Sequence, residues 1–278
     1  MSRAPRRTTA PFGRRAAEVT QAERLGAYVL ISALDGGGPT DPVPGQFYML
    51  ATGERWGGGT DERPYLGRAF SFARARPDPG GLTLQFLLEA IGPGTARLAG
   101  LEVGDALLLV GPLGIGFDAP EAPQHALLVG GGIGVAPLLG LADSLEGAPG
   151  ATLLGFRGAA HAAAGELFSS QPQIATDDGS VGAAGLVTDL LAPHLEGQAL
   201  DARVYACGPP AMLEAVRALC AAAGVDAQLA LESGMACGFG ACFGCVVPTR
   251  DGLIRLCLDG PVLNADRLDS ALVPGAGH

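Results

Sequence analysis

The chain has 278 residues, 48% of them hydrophobic, and a formal net charge of −10. That length suggests two or more domains with a sizeable core, the acidity argues against a nucleic-acid-binding surface, and no apolar run reaches the ~18 residues of a membrane-spanning helix. The six cysteines are too clustered for a disulfide framework in a chain with no secretory signal, so a reducing, cytoplasmic setting is expected.

Residues 1–15, "MSRAPRRTTAPFGRR", carry five arginines, no acid and no apolar stretch, and read as a disordered basic tail more than as a transit peptide. Residues 16–118 are β-rich. The runs "AYVLISAL" (27–34), "GQFYMLA" (45–51), "RAFSFARA" (68–75), "LTLQFLLEA" (82–90) and "DALLLVGP" (105–112) are short, apolar or alternating, and separated by Gly, Pro and Asp clusters. Short strands with such punctuation predict an antiparallel β-barrel.

The rhythm changes over 119–232. "HALLVGG" (125–131) is a buried-strand run followed by a helical stretch to about residue 147. "ATLLGFR" (151–157), "QIATDD" (173–178), "RVYACG" (203–208) and "DAQLALE" (226–232) read as further strands. Between them, "AAHAAAGELF", "GLVTDLLAPHL" and "PPAMLEAVRALCAAAG" read as helices, the last stopped by Gly224. Strands alternating with helices predict a parallel α/β domain. Residues 233–278 form a small Gly- and Cys-rich lobe that needs a staple to hold together.

The staple is legible in "MACGFGACFGC". Cys237, Cys242 and Cys245 are spaced C-x4-C-x2-C, and Cys257 supplies a fourth thiol. This is the plant-type 2Fe–2S ligand pattern. Such a cluster needs four converging thiolates and backbone N–H groups aimed at the sulfurs, and Gly238, Gly240 and Gly244 suit that approach. The alternatives are a structural zinc site, which usually recruits two short cysteine pairs where "RLCLDG" offers a lone partner, and inert buried cysteines. Cys220, at helical spacing from Val216 and Met212, reads as a core residue.

"LLVGGGIGVAPLLG" (127–140) runs from a strand through a glycine turn into a helix, a geometry suited to a pyrophosphate. From Gly132 the order is G-x-G-x-x-P, with Pro137 where a dinucleotide fingerprint has its third Gly; a plain tight turn is the alternative. "YACGPPAM" closes a second strand at the same sheet edge, where open α/β sheets bind ligands. "TDDGS" (176–180) either accepts ribose hydroxyls or caps a turn. In the β-rich part, Arg68 and Ser71 pair a cation with a hydroxyl on one strand, and Gly94-Thr95 opens a helix as an anion seat; a solvated strand charge is the alternative for Arg68. The four histidines form no constellation and are expected at the surface or at strand starts.

These fragments in this order resemble the ferredoxin–NADP reductase superfamily of flavoproteins. "RAFS" matches its flavin motif, "GPGT" its phosphate turn, "GGGIGVAP" its nicotinamide-nucleotide loop and "YACGPPAM" its C-G-P-x-x-M segment. "ESGMACGFGACFGCVV…CLDGPV" narrows the resemblance to the electron-transfer subunits of type 1B dihydroorotate dehydrogenases, over roughly residues 16–265. The resemblance implies an FAD-binding β-barrel (16–118), an NAD-binding α/β domain (119–232) and a C-terminal 2Fe–2S lobe (233–278). It places Arg68, Ala69, Phe70, Ser71, Leu87, Leu88, Glu89, Gly94 and Thr95 around FAD. Gly131, Gly132, Gly134, Pro137, Cys207, Gly208 and Pro209 would serve the nicotinamide nucleotide, and Cys237, Cys242, Cys245 and Cys257 the cluster.

Two departures stand out: Ala69 replaces a usual proline, and Glu89 stands where a basic residue is common. The gap before Cys257 is also a few residues short of the family's. The resemblance further implies transfer of electrons between NAD and a separate FMN-containing catalytic subunit that interconverts dihydroorotate and orotate, as a hetero-oligomer and expectedly a heterotetramer. No general acid or nucleophile is required. The alternative is the NAD(P)-binding flavin/iron–sulfur subunit of another redox complex, of sulfide dehydrogenase or transhydrogenase type; a metal-stapled module without flavin is the more distant one. Arg157, at a strand end, leaves NAD against NADP open. Phe239 and Phe243, beside the cysteines, suit a protein interface or inward packing around the cluster.

Overall fold

Two seven-stranded sheets carry the chain in a computed structural model that describes residues 7–11, 13–57, 64–145, 150–196 and 201–273. The first sheet contains β1 (Arg15–Leu25), β2 (Tyr28–Asp35), β3 (Phe47–Thr52), β4 (Arg68–Ser71), β5 (Arg74–Asp78), β6 (Gly81–Glu89) and β7 (Ala106–Leu113), with helix α1 (Pro93–Ala99) after β6. Its order is β4-β3-β7-β1-β2-β6-β5, antiparallel throughout. It curls into a half-barrel around Tyr48, Phe72, Leu84, Phe86 and Leu98, all buried. The run 68–75 is two strands rather than one: β4 pairs with β3 and β5 with β6, at opposite ends of the sheet.

The second sheet is parallel but for one edge strand, as the alternation of strands and helices predicts for the rest. Its elements are β8 (His125–Gly131), α2 (Ala136–Ser144), β9 (Ala151–Phe156), α3 (Ala159–Ala162), β10 (Gln173–Thr176), β11 (Ala183–Ala184), α4 (Val187–Leu191), β12 (Ala202–Cys207), α5 (Pro210–Ala223) and β13 (Asp226–Ala230). The expected helix end near 147 lies outside the described residues. Gly224 stops α5 in the left-handed region at φ 68°, where a side chain would be strained. Cys220 is buried in the core beneath this helix, as its spacing suggests.

The expected cysteine lobe holds the hairpin β14 (Val246–Thr249) and β15 (Gly252–Arg255), the short helix α6 (Leu256–Asp259) and β16 (Val262–Asn264). It does not stand apart. β16 pairs antiparallel with β13 and completes the second sheet in the order β11-β10-β9-β8-β12-β13-β16. Residues 274–278 of this lobe lie outside the described residues, as do 1–6 and 12 of the expected basic tail. In the rest of that tail Arg15 opens β1, and the Gln46 side chain accepts from the Thr8 N–H (3.2 Å) and donates to the Thr8 carbonyl (3.0 Å). No helix among the described residues is long and apolar enough to cross a membrane.

Candidate functional site

A cleft of about 320 Å³ opens between the two sheets. Arg68, Ala69, Phe70 and Ser71 of β4, Leu87 and Glu89 of β6, and Thr95 of α1 form one wall. Arg68 is the only cation among its described lining residues. Its guanidinium donates to the Leu66 carbonyl (2.7 Å), lies 5.7 Å from the Trp56 ring and passes directly over Gly94. A Cβ on Gly94 would sit 2.8 Å from Arg68 Nε, so any side chain there would displace the guanidinium. The Thr95 hydroxyl accepts from the Ile91 and Gly92 N–H groups (3.0 and 2.9 Å) and so holds the turn rather than standing free. Leu88 lines neither this cleft nor its neighbour: strand alternation turns Leu87 and Glu89 outward and buries Leu88 in the half-barrel core.

The opposite wall brings Ile133, Gly134, Ala136, Pro137 and Cys207, and then Ser233, Gly234 and Met235 on the approach to the cysteine loop. Burial pushes the Cys207 thiol well up, with the Glu232 charge adding to the effect, so it stays protonated.

A second cleft of about 740 Å³ adjoins the first, and Glu89, Ile91, Ile133 and Glu232 line both. It lies where the strand order reverses, between β8 and β12, at the carboxyl edge where open α/β sheets take ligands. After β8, residues 132–135 make a 3-10 turn that leads into α2, with Pro137 in the first turn of that helix. Gly131 and Gly132 face the cleft. Gly134 interlocks the two strand-end loops, since a Cβ there would lie 2.6 Å from the Cys207 carbonyl and from Gly208 Cα. Pro209 lines the second cleft; Gly208 lies behind it against Met212. The two acids of "TDDGS" divide: Asp177 faces the cleft, while Asp178 caps the turn through the Ser180 N–H (2.9 Å) and hydroxyl (2.6 Å).

The structure also brings in residues that motif reading passed over. Tyr28, His161, Leu186 and Thr188 line the second cleft beside Arg157. His161 is therefore not a bare surface residue: its Nε2 lies 3.2 Å from Glu89 Oε1, and its ring meets the buried Tyr28 edge-on at 5.5 Å. The signal that could have found it is Glu89 itself, an acid in an anion-binding region that calls for a counter-charge.

The cysteine loop follows β13. Among the described residues no three Cys, His, Asp or Glu side chains stand around one point; the four thiols stand as two pairs, Cys237 with Cys242 and Cys245 with Cys257. Burial pushes the Cys237 thiol up, but N–H groups of Cys242, Phe239 and Ala241 and the Cys242 thiol outweigh it and bring it down to about 7. Burial, then the bond to and charge of Cys245, push the Cys257 thiol up to about 12. The Gly244 N–H points at Cys242 Sγ (3.5 Å) and the Cys257 N–H at Cys245 Sγ (3.4 Å). Gly238 and Gly240 take positive φ (79° and 83°) as expected; the third such position is Phe243 (φ 59°), not Gly244. Two thiol pairs with N–H groups turned toward sulfur fit a group with two metal centres, each of which takes two thiolates. Phe239 and Phe243 are 49% and 62% exposed; Phe239 lines a cleft beside Cys257 and Leu258, and the Arg255 guanidinium lies 5.1 Å from the Phe243 ring.

A half-barrel cleft facing a nucleotide-type sheet edge, with a thiol loop appended, defines a reductase of the ferredoxin–NADP reductase type with an added iron–sulfur lobe. The NADH-dependent reduced ferredoxin–NADP oxidoreductase structure superposes with a TM-score of 0.78 at 25% identity, over 94% of this chain and 92% of that one. A ferredoxin reductase in carbazole 1,9a-dioxygenase shares the fold, with a TM-score of 0.62 at 21% identity over 77% of this chain and 66% of that one. Residues 232–269 match the iron–sulfur cluster binding domain of dihydroorotate dehydrogenase B. The chain is 40% identical over 232 residues to the dihydroorotate dehydrogenase B (NAD(+)) electron transfer subunit of Geobacillus kaustophilus, over 80% of this chain and 85% of that one. To the Clostridium acetobutylicum protein of the same name it is 34% identical over 226 residues, 81% and 85% of the two chains. It belongs to the family of dihydroorotate dehydrogenase B electron transfer subunits.

Proposed function

We propose that this chain passes electrons between NAD(H), through FAD and a 2Fe–2S cluster, and a separate FMN-containing subunit that interconverts dihydroorotate and orotate in pyrimidine biosynthesis. The observation that carries this reading is the first cleft. One of its walls belongs to the half-barrel, and the other joins the nucleotide turn (Ile133, Gly134, Pro137) to the segment entering the cysteine loop (Ser233–Met235). A flavin exchanges two electrons with a nicotinamide and one at a time with an iron–sulfur cluster, so it has to lie between the two.

The chain's own residues position and insulate. Arg68 supplies the cation for the flavin or its phosphate, with Ala69, Phe70, Ser71 and Leu87 along the ring and Gly94 and Thr95 at the phosphate turn. Gly131, Gly132, Gly134, Pro137, Cys207 and Pro209 shape the nicotinamide-nucleotide site, and Cys237, Cys242, Cys245 and Cys257 hold the cluster. Cys207, buried and protonated, presents an apolar thiol to the wall of the flavin cleft. Leu88 serves the barrel core, and the Glu89 carboxylate faces His161.

We place the complex in the cytoplasm as a heterotetramer, docked through the face that bears Phe239 and Phe243. Exposed aromatic rings beside a redox loop suit a protein interface.

The test is reconstitution. Alone, the chain oxidises NADH with artificial acceptors but does not turn over dihydroorotate. NAD-linked dihydroorotate oxidation appears on adding the FMN-bearing subunit. It disappears in Cys242→Ser, which loses the visible iron–sulfur signal and keeps FAD. Zinc without acid-labile sulfide in the anaerobically prepared chain, or dihydroorotate turnover by the chain unaided, would sink the reading.

A further inference from the structure

The second cleft has an unusual charge balance for a site meant to receive a dinucleotide. Its described lining includes three carboxylates, Glu89, Asp177 and Glu232, against the cations Arg157 and, when protonated, His161. Glu89 is the most intrusive of the acids. It ends β6, lines both clefts, and sits two residues before Ile91, which also lines both. A diphosphate seated on the turn after β8 would meet this carboxylate across a partly desolvated gap, where like charges repel strongly.

His161 is placed to cancel that charge. Its Nε2 lies 3.2 Å from Glu89 Oε1, with both side chains 21% exposed. The imidazole is held from two sides. Its ring stands edge-on to buried Tyr28. Its helix, α3, is docked on the turn between β1 and β2, where the Ala27 N–H donates to the Ala160 carbonyl (2.8 Å). That docking is too tight for any side chain on Gly26, whose Cβ would fall 1.9 Å from the Ala160 oxygen. The pair therefore joins the half-barrel to the nucleotide sheet at a fixed position, between residues 72 positions apart in the chain.

We propose that His161 is the counter-ion of Glu89, a positioning residue that silences this carboxylate so that the diphosphate of NAD(H) can seat on the Gly131–Val135 turn. The proposal rests on the reading of the second cleft as the NAD(H) site. It assigns a role to a histidine outside every sequence motif, and it accounts for an acid where a base would be expected beside two nucleotide clefts. A histidine serving only to pack α3 against Tyr28 would be indifferent to the charge of Glu89. A counter-ion would not.

The discriminating measurement is NADH affinity, by equilibrium titration of the flavin- and cluster-loaded chain reduced beforehand so that NADH binds without transferring electrons, across a double-mutant cycle. His161→Ala weakens NADH binding about tenfold, equivalent to ~1.4 kcal/mol. His161→Gln, which keeps a hydrogen-bond donor but no charge, also weakens it. Glu89→Gln binds at least as tightly as the wild type, and Glu89→Gln/His161→Ala returns to within about threefold of wild type. Flavin content, measured on every variant, verifies that the fold is intact. Wild-type affinity in His161→Ala overturns the counter-ion role, and so does a double variant no better than His161→Ala. A wild-type chain that holds FAD but does not bind NADH would overturn the NAD(H) reading and this inference together.

Discussion

Arg68→Ala puts the flavin assignment at greatest risk. The guanidinium is the only cation among the described residues of the first cleft, which also carries Glu89 and Glu232. Removing it leaves an anionic ligand with no cation among the described residues that line this cleft. A charge-assisted hydrogen bond contributes ~1.5–3 kcal/mol, which converts to a roughly tenfold to hundredfold loss of FAD affinity. The fold should lose far less, because the contacts of Arg68 within the protein are one bond to the Leu66 carbonyl and a 5.7 Å approach to Trp56. A cation–π contact at a partly exposed site is worth only ~0.5–1 kcal/mol. Gly94→Ala offers an independent route to the same effect: its methyl would stand 2.8–2.9 Å from the guanidinium and push it aside with its charge intact. The assay is FAD content after gel filtration, followed by a fluorescence titration of the apo-protein. Retention of FAD at wild-type affinity by Arg68→Ala would refute the assignment. A large drop in melting temperature without loss of FAD would show that Arg68 is structural.

Gly134→Ala should cost ~1–3 kcal/mol of stability by overpacking, because its Cβ would fall 2.6 Å from the backbone of Cys207 and Gly208. Urea unfolding measures the cost, NADH titration should show weaker binding, and unchanged values in both would remove the interlock. Glu214 is held down to about 2, first by the hydrogen bond from Arg217 and further by the Ala271 N–H and the Ser270 hydroxyl, against a smaller opposing effect of burial. Since its folded pKa lies below the unfolded 4.5, its stabilisation is present above pH ~4.5 and is lost as pH falls toward ~2. Glu214→Gln should therefore be less stable at neutral pH and show a shallower loss of stability across that acid window. Parallel pH-stability curves for wild type and variant would contradict this.

What the sequence discloses depends on how local the cause is. β8 matches its run "HALLVGG" residue for residue, because an apolar stretch ending in glycines is bounded by its own chemistry. β1 went unread: of its 11 residues only Ala17 and Val19 are buried, so no hydrophobic alternation marks it. The division of 68–75 between β4 and β5 was also invisible, since it depends on which remote strands the two halves pair with. The same holds in the site. The four cysteines stand out by their spacing, Arg68 and the glycine turn only through the family resemblance, whereas His161 acquires its place from Glu89 and Tyr28, both distant in sequence. Leu88 was included with its neighbours because a motif is contiguous, while a strand presents alternate residues to one side.

The pairing of β16 with β13 bears on how the protein is made. β13 ends at Ala230, and the strand that covers its edge begins at Val262, so the intervening chain contains Cys237, Cys242, Cys245 and Cys257. As the polypeptide leaves the ribosome, the nucleotide sheet stays open along β13 until those cysteines have emerged. An uncovered sheet edge is a template for pairing with other chains, and domains begin to fold during synthesis. Sheet closure thus follows synthesis of the whole thiol loop. A chain cut short after residue 232 would keep its glycine turns and its Arg68, yet expose that edge permanently. Protection of that sheet edge therefore waits on the same stretch of chain that carries the four cysteines.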